Sequence, residues 1–260
     1  RTRSGGIVVQ KASVKMEHGL ARFTGQFQPK QDPAIRLDTY LKLTEMPLEN
    51  LPSELNAVRE RISGRLTFET LLSTSGYAVD QWLSNLSGDV NIRISEGKIN
   101  RSNVLFTILD QLSLQNLFQK RPQDLPEKGL YFKEIQGYFS VKKGIVNTDN
   151  LQMKSPAFNA AGKGTCNLAE GRIDGELAIA PLGTMDSLLT KIPIVGYILT
   201  GKEQSLLIYY FKVKGPVTDP NVTFIPMKNM GKKAVGFVKR TLLTPSRIFK
   251  DISDAAQGLF

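Results

Sequence analysis

The stretch AIRLDTYLKLT, residues 34–44, alternates between apolar and polar side chains over almost its whole length. Ile35, Leu37, Leu41 and Leu43 occupy one set of alternate positions, with Thr39 among them, and mostly charged side chains occupy the other set. Because successive side chains of a β-strand point to opposite faces, this pattern predicts a strand with one apolar and one wet face. Strands of this kind are typical of an antiparallel sheet.

The same alternation recurs along most of the chain. It is clear at 88–95, where Val90, Ile92 and Ile94 alternate with polar residues, and at 171–181, where Leu177 and Ile179 do. We predict further strands at 6–16, 20–28, 64–72, 130–142, 145–154, 157–167, 205–214 and 221–226. Hairpin turns are expected at 17–19, 143–144 and 170–171, each of which contains a glycine that can adopt positive φ. The sequence therefore predicts a mainly β protein built from a long antiparallel sheet.

A glycine recurs inside or at the head of one strand after another. The positions are Gly64, Gly88, Gly137, Gly164, Gly175 and Gly215. Glycine inside a strand often marks a bulge or a bend, so the recurrence favours a strongly curved sheet. Ordinary glycines at strand starts would produce the same spacing, and the sequence alone leaves both interpretations open.

Helical patterns interrupt the strands. Leu51, Leu55, Val58 and Ile62 follow helical spacing around 46–61, and 78–86 is a short amphipathic segment that contains Trp82. Residues 99–120 carry the widest apolar helical face, and 184–192 is a further short candidate. These segments are α insertions in a β fold and do not support an all-α interpretation.

Composition excludes several kinds of chemistry. The chain has 260 residues, with one His and one Cys. His18 alone cannot form a two-histidine metal site, and Cys166 alone cannot form an internal disulfide or a thiolate zinc site. The stretch AAGKGTCN, residues 160–167, lacks the spacing of a phosphate-binding loop. We predict a non-enzymatic protein without a cofactor or a metal, in which His18 is a turn residue and Cys166 a small buried side chain.

The net charge of +10 indicates an anionic partner, either nucleic acid or a membrane surface. Half of that charge lies in residues 227–260, here called the tail, where seven basic residues stand against two acidic ones. Ile248, Ile252, Ala255 and Leu259 follow the spacing of one helical face, and Pro245 separates two short helices. A basic amphipathic segment of this kind suits an anionic membrane. Alternatively, the tail caps the open end of the sheet.

Nucleic-acid binding is disfavoured because the aromatic residues lie mostly on apolar faces and no RNA-binding signature is present. A membrane-spanning helix is not expected either, since no window approaches about 18 apolar residues. The chain begins RTRSGG, without an initiator Met, and we expect that its start is missing.

Residues 80–226 resemble the C-terminal domain of the AsmA-like family of bacterial envelope proteins. The resemblance rests on ordered segments: LSGDVNIRISEGKI (86–99), LFTILDQLSLQNLF (105–118), the strand-rich region 129–168, EGRIDGELAIAPLGTMDSLLTKIPIVGYILTG (170–201), FKVKGPVTDPNVTFIP (211–226) and a basic tail. We accordingly divide the chain into groove strands at 1–72, an AsmA-like domain at 73–226 and a helical tail at 227–260. The order covers more than half of the chain, although each segment alone is common.

The resemblance implies a bridge-like lipid-transfer protein. In such proteins a curved sheet forms an open apolar groove that carries phospholipid acyl chains between the inner and outer membranes. It implies a periplasmic location, with an inner-membrane anchor that this chain lacks. The partners are then phospholipid, a membrane surface on the outer-membrane side and an envelope protein, with no nucleic acid. The rival interpretation is a periplasmic outer-membrane assembly or docking module that binds a protein partner.

Two sets of residues carry this hypothesis. The expected lipid-groove lining is Ile35, Leu37, Leu41, Leu43, Leu66, Phe68, Val90, Ile92, Ile94, Leu177 and Ile179. The expected membrane or headgroup contacts are Lys232, Lys233, Phe237, Val238, Lys239, Arg240 and Phe249.

Overall fold

The computed structural model describes the backbone of the chain in separate ranges. These are 2–3, 6–28, 32–100, 129–181, 197–200 and 205–226, together with Thr241, Ile252 and Ala256 in the tail. Side chains are described at 12–20, 22, 35–100, 129–181 and 208–226 and at the same three tail positions. The predicted helices at 99–120 and 184–192 lie almost entirely outside these residues.

Thirteen strands form one antiparallel sheet in the described ranges. They are β1 (Thr2–Arg3), β2 (Gly6–Met16), β3 (Gly19–Gln28), β4 (Asp32–Pro47), β5 (Ile62–Gly76), β6 (Ser87–Ile99), β7 (Leu130–Lys142), β8 (Ile145–Lys154), β9 (Phe158–Asn167), β10 (Arg172–Pro181), β11 (Tyr197–Thr200), β12 (Ser205–Pro216) and β13 (Asn221–Phe224). Each strand from β1 to β9 pairs with the next one along the chain, and β10 pairs with β12. The short β11 and β13 both pair with β12, at its two halves. The predicted mainly β fold is confirmed.

Tight turns join several of these strands as the sequence predicts. Lys143 and Gly144 both have positive φ, 49° and 73°, as a two-residue hairpin turn with the favoured twist requires. Gly171 also has positive φ, at 60°. Gly19 differs from the prediction because it begins β3, so Glu17 and His18 form that turn without it.

The helix expected at 46–61 is the main departure from the predicted elements. Leu48–Asn50 and Ser53–Leu55 are single 3-10 turns, and only α1 (Asn56–Arg59) is α-helical. Pro52 explains the break, since the residue before a proline is pushed towards extended backbone and Leu51 is extended. Ile62, which matched the helical spacing, begins β5 instead. The amphipathic segment around Trp82 does form a helix, α2 (Val79–Asn85).

Bulges and glycines curl the sheet. Glu45 and Glu96 have left-handed φ of 51° and 47°, and each lies where the register with β5 shifts by a residue. Bulges of this kind bend a strand and increase its twist. Gly88, Gly137, Gly164, Gly175 and Gly215 all lie on the apolar face, as their cross-strand partners show. Because glycine has no side chain, these positions leave space on the apolar face. The sheet can therefore bend with that face on its concave side.

Two core clusters lie on this same apolar face. At the C-terminal end of the sheet, Phe158, Ile179, Tyr209 and Phe211 are almost completely buried. Near the other end, Leu48 from the first 3-10 turn covers Leu43 and Leu66. Thus two parts of one face are packed by the chain itself, and the strands between them are half-buried.

The sheet is continuous across the division proposed at residues 72 and 73. Strand β5 spans Ile62–Gly76, and it pairs with β4 on one side and with β6 on the other. The three-part division of the chain stays a prediction.

We predict that Gly88→Ala destabilises the protein by about 2–4 kcal/mol. Gly88 has φ of 144°, and a Cβ there would lie 2.0 Å from the Leu71 carbonyl oxygen on the neighbouring strand. Gly171→Ala is the control, because Gly171 also has positive φ but a Cβ there would meet no atom within 4 Å. Its cost should be only about 1 kcal/mol. Equal shifts of the two variants in urea unfolding would contradict this account of curvature.

Candidate functional site

One row of apolar side chains crosses most of the sheet. Cross-strand pairing joins neighbouring strands through Met46, Leu66, Ile94, Ile135, Met153, Ala160, Ile179 and Tyr209, one residue from each of eight strands. Directly paired residues point to the same face. Since neighbouring strands lie about 4.8 Å apart, the row is roughly 34 Å long measured along the sheet. We call the face that carries it the apolar face.

All of the predicted lining residues lie on the apolar face. Leu43 pairs with Phe68, and Phe68 pairs with Ile92. At the other end, Leu177 pairs with Phe211. Most of these side chains are half-buried, and Ile35 is 37% exposed. The register therefore brings together, on one surface, residues separated by more than 140 positions in the chain.

Three of the predicted lining residues are buried members of the packed clusters. Leu43 and Leu66 are 8% and 9% exposed against Leu48, and Ile179 is 1% exposed beside Tyr209. These side chains hold the sheet and its turns together. Leu41, Phe68, Ile92, Ile94 and Leu177 are half-buried and pack against these clusters. Leu37 and Val90 are half-buried outside them.

Several members of the row were not assigned to the lining from the sequence. Ile135 and Met153 lie in segments correctly predicted as strands, so their alternation contained the signal. Leu151 lies beside the row on the same face, where its side chain is close to Gly137 and Gly162, and a Cβ added at either glycine would lie 3.2 Å from it. Because glycine has no side chain, Gly137 and Gly162 leave room for Leu151 on the apolar face.

The opposite face carries cross-strand ion pairs, and we call it the polar face. Lys42 lies 3.3 Å from Glu69, Arg93 3.5 Å from Glu134, and Lys163 2.9 Å from Glu176. Lys212 and Lys214 both pair with Asp174, and the hydrogen bond from Lys212 is the main cause of the lowered pKa of that carboxyl. These ion pairs make the polar face a hydrated surface, in contrast to the apolar face.

The tail contacts the polar face at each of the three positions that the structure describes. The backbone carbonyl of Thr241 accepts a hydrogen bond from the Gln152 side chain on β8. Ile252 and Ala256, both 1% exposed, pack with Tyr40 on β4 and Leu71 on β5. Because these strands are internal, capping of the sheet's open end is wrong for these residues. The predicted membrane contacts Lys232, Lys233, Phe237, Val238, Lys239, Arg240 and Phe249 lie outside the described side chains.

His18 has the turn position expected of it, whereas Cys166 is less buried than expected. His18 is a turn residue whose carbonyl accepts a hydrogen bond from the Thr44 amide, and its ring lies 3.9 Å from the Glu17 carboxylate. Cys166 is half-buried on the apolar face between Val146 and Ile173, and burial raises the pKa of its thiol. Within the described ranges no group of three or more His, Cys, Asp and Glu could hold a metal ion.

Two buried tyrosines lie next to each other on β12 and face opposite ways. Burial raises the pKa of both, and for Tyr210 the nearby Glu176 carboxylate adds to the effect. Tyr210 lies on the polar face opposite Ala178 and Tyr209 on the apolar face opposite Ile179. Both phenols are therefore neutral at physiological pH and serve packing.

No helix among the described residues is long and apolar enough to cross a bilayer.

The structure defines the class of curled antiparallel-sheet proteins with one apolar face. Within that class, a sequence model described as YhdP protein matches residues 10–222. The chain belongs to the YhdP family, which confirms its resemblance to AsmA-like proteins.

A curated relative gives the family a named member. The chain is 24% identical over 168 residues to the "Intermembrane phospholipid transporter YhdP" of Escherichia coli (strain K12). The alignment covers 58% of this chain and 13% of that relative, so the chain corresponds to a small part of its length. No solved structure significantly matches the chain.

We predict that Cys166 reacts at least tenfold more slowly with iodoacetamide at pH 8 in the folded protein than in the chain unfolded in urea. The raised pKa lowers the thiolate fraction, and the thiolate is the reactive species. Mass spectrometry of the alkylated peptide measures both rates. Equal rates would contradict the half-buried position on the apolar face.

Proposed function

We propose that this chain is part of a non-enzymatic lipid-transfer protein, in which the apolar face carries phospholipid acyl chains between the inner and outer membranes. The Escherichia coli relative is named an intermembrane phospholipid transporter, which supports phospholipid as the cargo. The observation that carries the proposal is the unbroken apolar row from Met46 to Tyr209. No residue has to react for a surface of this kind to work.

The energetics of acyl chains favour such a face. Each methylene moved from water to an apolar surface gains about 0.8 kcal/mol, so a chain exposed during transfer would cost well over 10 kcal/mol. Half-buried leucine, isoleucine and phenylalanine side chains, such as Leu41, Phe68 and Ile92, offer the required contact. The charged headgroup stays in water beyond the rim of the groove.

The proposed location is the periplasm, in a protein anchored to the inner membrane by a segment outside this sequence. The tail is proposed to contact an anionic membrane surface on the outer-membrane side. Lys232, Lys233, Lys239 and Arg240 would meet lipid phosphates, while Phe237, Val238 and Phe249 would insert shallowly. An envelope protein is a second proposed partner.

A docking module is the competing proposal. The observation that favours it is a set of exposed apolar side chains on α2 and beside it, including Tyr77, Val79, Leu83 and Ile145. A protein partner could cover these residues. The two proposals differ in their cargo, since a docking module would purify without bound lipid.

We expect the purified chain to carry phospholipid, detected by mass spectrometry after gentle purification. Val90→Asp places a carboxylate on the half-buried apolar face and should lower the bound phospholipid per chain about tenfold, because a charge beside acyl chains is strongly unfavourable. Thr223→Asp adds the same charge at an exposed position of the polar face and should leave the lipid unchanged. A lipid-free parent protein with intact folding would favour the docking module.

Deleting residues 227–260 should abolish most binding to vesicles of phosphatidylethanolamine and phosphatidylglycerol, because half of the net charge is removed. Binding of the parent chain should weaken as salt is raised, since the attraction is partly electrostatic. Sedimentation with vesicles, with phosphatidylcholine vesicles as the uncharged control, measures both effects. Unchanged binding of the truncated chain would show that the tail has no membrane role.

A further inference from the structure

Two elements cover the apolar face near opposite ends of β5. Near its start, the first 3-10 turn places Leu48 on Leu43 and Leu66. At its end, Gly76 lies on the same face as Leu66, because an even number of residues separates them in a regularly paired strand. A Cβ added at Gly76 would lie 2.9 Å from Cδ1 of Trp82. Helix α2, which carries Trp82, therefore covers the apolar face at this end.

Hydrogen bonds hold α2 in this position. The indole nitrogen of Trp82 donates to the Gly76 carbonyl at 2.9 Å, and the Thr74 hydroxyl donates to the Trp82 carbonyl at 2.6 Å. The Asn85 side-chain amide donates to the Ser75 carbonyl at 2.8 Å. These bonds involve each of the last three residues of β5, so the helix is attached to the strand end as a wall beside the open part of the face.

Between the two coverings the apolar face forms a trough. Its floor on β5 consists of Thr70 and Leu72, which lie between Phe68 at the core cluster around Leu48 and Thr74 at α2. At about 3.4 Å per residue, the six residue steps from Phe68 to Thr74 span roughly 20 Å along the strand. That span leaves room for a hydrocarbon chain to lie across the strands between the walls.

Cross-strand pairs extend the floor onto both neighbouring strands. Thr70 pairs with Leu41 on β4 and with Val90 on β6, and Leu72 pairs with Thr39 on β4. Thr70 is 4% exposed and is smaller than Leu41 and Val90 on either side, so the floor is deepest at its centre. Thr39, Leu72 and Val90 are half-buried. The trough therefore crosses three strands and is partly open to solvent.

The described residues of the trough offer no free hydrogen-bond donor to an occupant. Its three threonine hydroxyls all donate to backbone carbonyls, Thr39 to Leu72, Thr70 to Asp89 and Thr74 to Trp82. The other floor side chains, Leu41, Leu72 and Val90, are aliphatic. A polypeptide in the trough would bring backbone carbonyls that need donors and would find none. A hydrocarbon chain has no such requirement, so the chemistry of the trough favours an acyl chain over a protein segment.

We propose that this trough is a binding site for an acyl chain of a phospholipid, with the Leu48 turn and α2 as its walls. Leu72 and Val90 are the main contacts of the chain, and Trp82 lies beside it. The site rests on the proposed lipid-transfer function and deepens it, because it places the hydrocarbon at one defined part of the apolar face. The headgroup lies in water beyond the walls.

Trp82 is the only tryptophan of the chain, so its fluorescence reports on the trough. The 260-residue chain is titrated with lysophosphatidylcholine whose acyl chain carries bromine, below the micelle concentration, because bromine quenches tryptophan on close approach. The fluorescence should fall to a plateau, and unlabelled lysophosphatidylcholine should restore it. Glycerophosphocholine, which has the same headgroup but no acyl chain, should not. Restoration by glycerophosphocholine would indicate a headgroup site and overturn the proposal.

Variants of the floor locate the bound chain. Leu72→Asp places a charge on the floor and should raise the concentration that gives half-maximal quenching about tenfold. Thr223→Asp adds the same charge at an exposed position of the polar face and should leave that concentration unchanged. Leu72→Ala keeps the floor uncharged and should raise it about threefold, since part of the apolar contact is lost. Melting temperatures show whether each variant is folded, and Leu72→Ala decides if Leu72→Asp does not fold.

Failure of the trough and failure of the lipid-transfer function give different results. If the purified parent chain carries phospholipid but the brominated lipid leaves Trp82 unquenched, the trough is wrong and the lipid-transfer function stands. The trough is also wrong if folded Leu72→Ala and Leu72→Asp are quenched like the parent. If the parent carries no phospholipid and brominated lipid does not quench Trp82, both proposals fail. Quenching that depends on Leu72 in a parent without phospholipid would support the trough and contradict the lipid-transfer function.

Discussion

The structure depends on one constraint, the hydrogen-bonded register of a single antiparallel sheet. In a pleated strand every second side chain points to the same face, so pairing decides which residues share a surface. A slip of one residue would move Ile92 and Ile94 to the polar face and Arg93 to the apolar one. Where the register does shift, as at Glu45 and Glu96, a bulge absorbs the extra residue and apolar partners such as Met46 and Leu66 still meet. The apolar row from Met46 to Tyr209 survives because of these bulges.

The two faces of the sheet then take different roles. The apolar face is packed near Leu48 and near Phe158 and is half-buried between, where the proposed acyl-chain path would lie. Glycines on that face, such as Gly88 and Gly137, have no side chains and so leave space on the concave side of the curved sheet. The polar face is crossed by ion pairs, and the tail contacts it at Gln152, Tyr40 and Leu71. The described tail residues therefore do not compete with the proposed lipid for one surface.

The alternation of apolar and polar residues predicts much of this fold, including most of its strands. The predicted lining residues all lie on one face because periodicity of two assigns faces without any knowledge of pairing. Alternation could not say that Leu43, Leu66 and Ile179 pack in clusters, since that depends on how the turn at Leu48 folds over β4 and β5 and on the pairing of Tyr209 with Ile179. The helix expected at 46–61 does not form because Pro52 outweighs the spacing of Leu51 and Leu55.

The surface on which the tail packs could not be predicted from the sequence either. Ile252 and Ala256 show an apolar helical side, but a side chain does not reveal whether it will face Tyr40 or a lipid.

The most direct test of the central claim compares adjacent residues on opposite faces. A photo-crosslinking amino acid is placed at Leu41, Phe68, Ile92 or Leu177 on the apolar face, and at Lys42, Glu69, Arg93 or Glu176 beside them on the polar face. The proteins are irradiated in cells and examined for covalently attached phospholipid by mass spectrometry. The account predicts lipid adducts at the apolar positions and almost none at their polar neighbours. Adducts that ignore the alternation, or that are absent from the apolar positions, would contradict it.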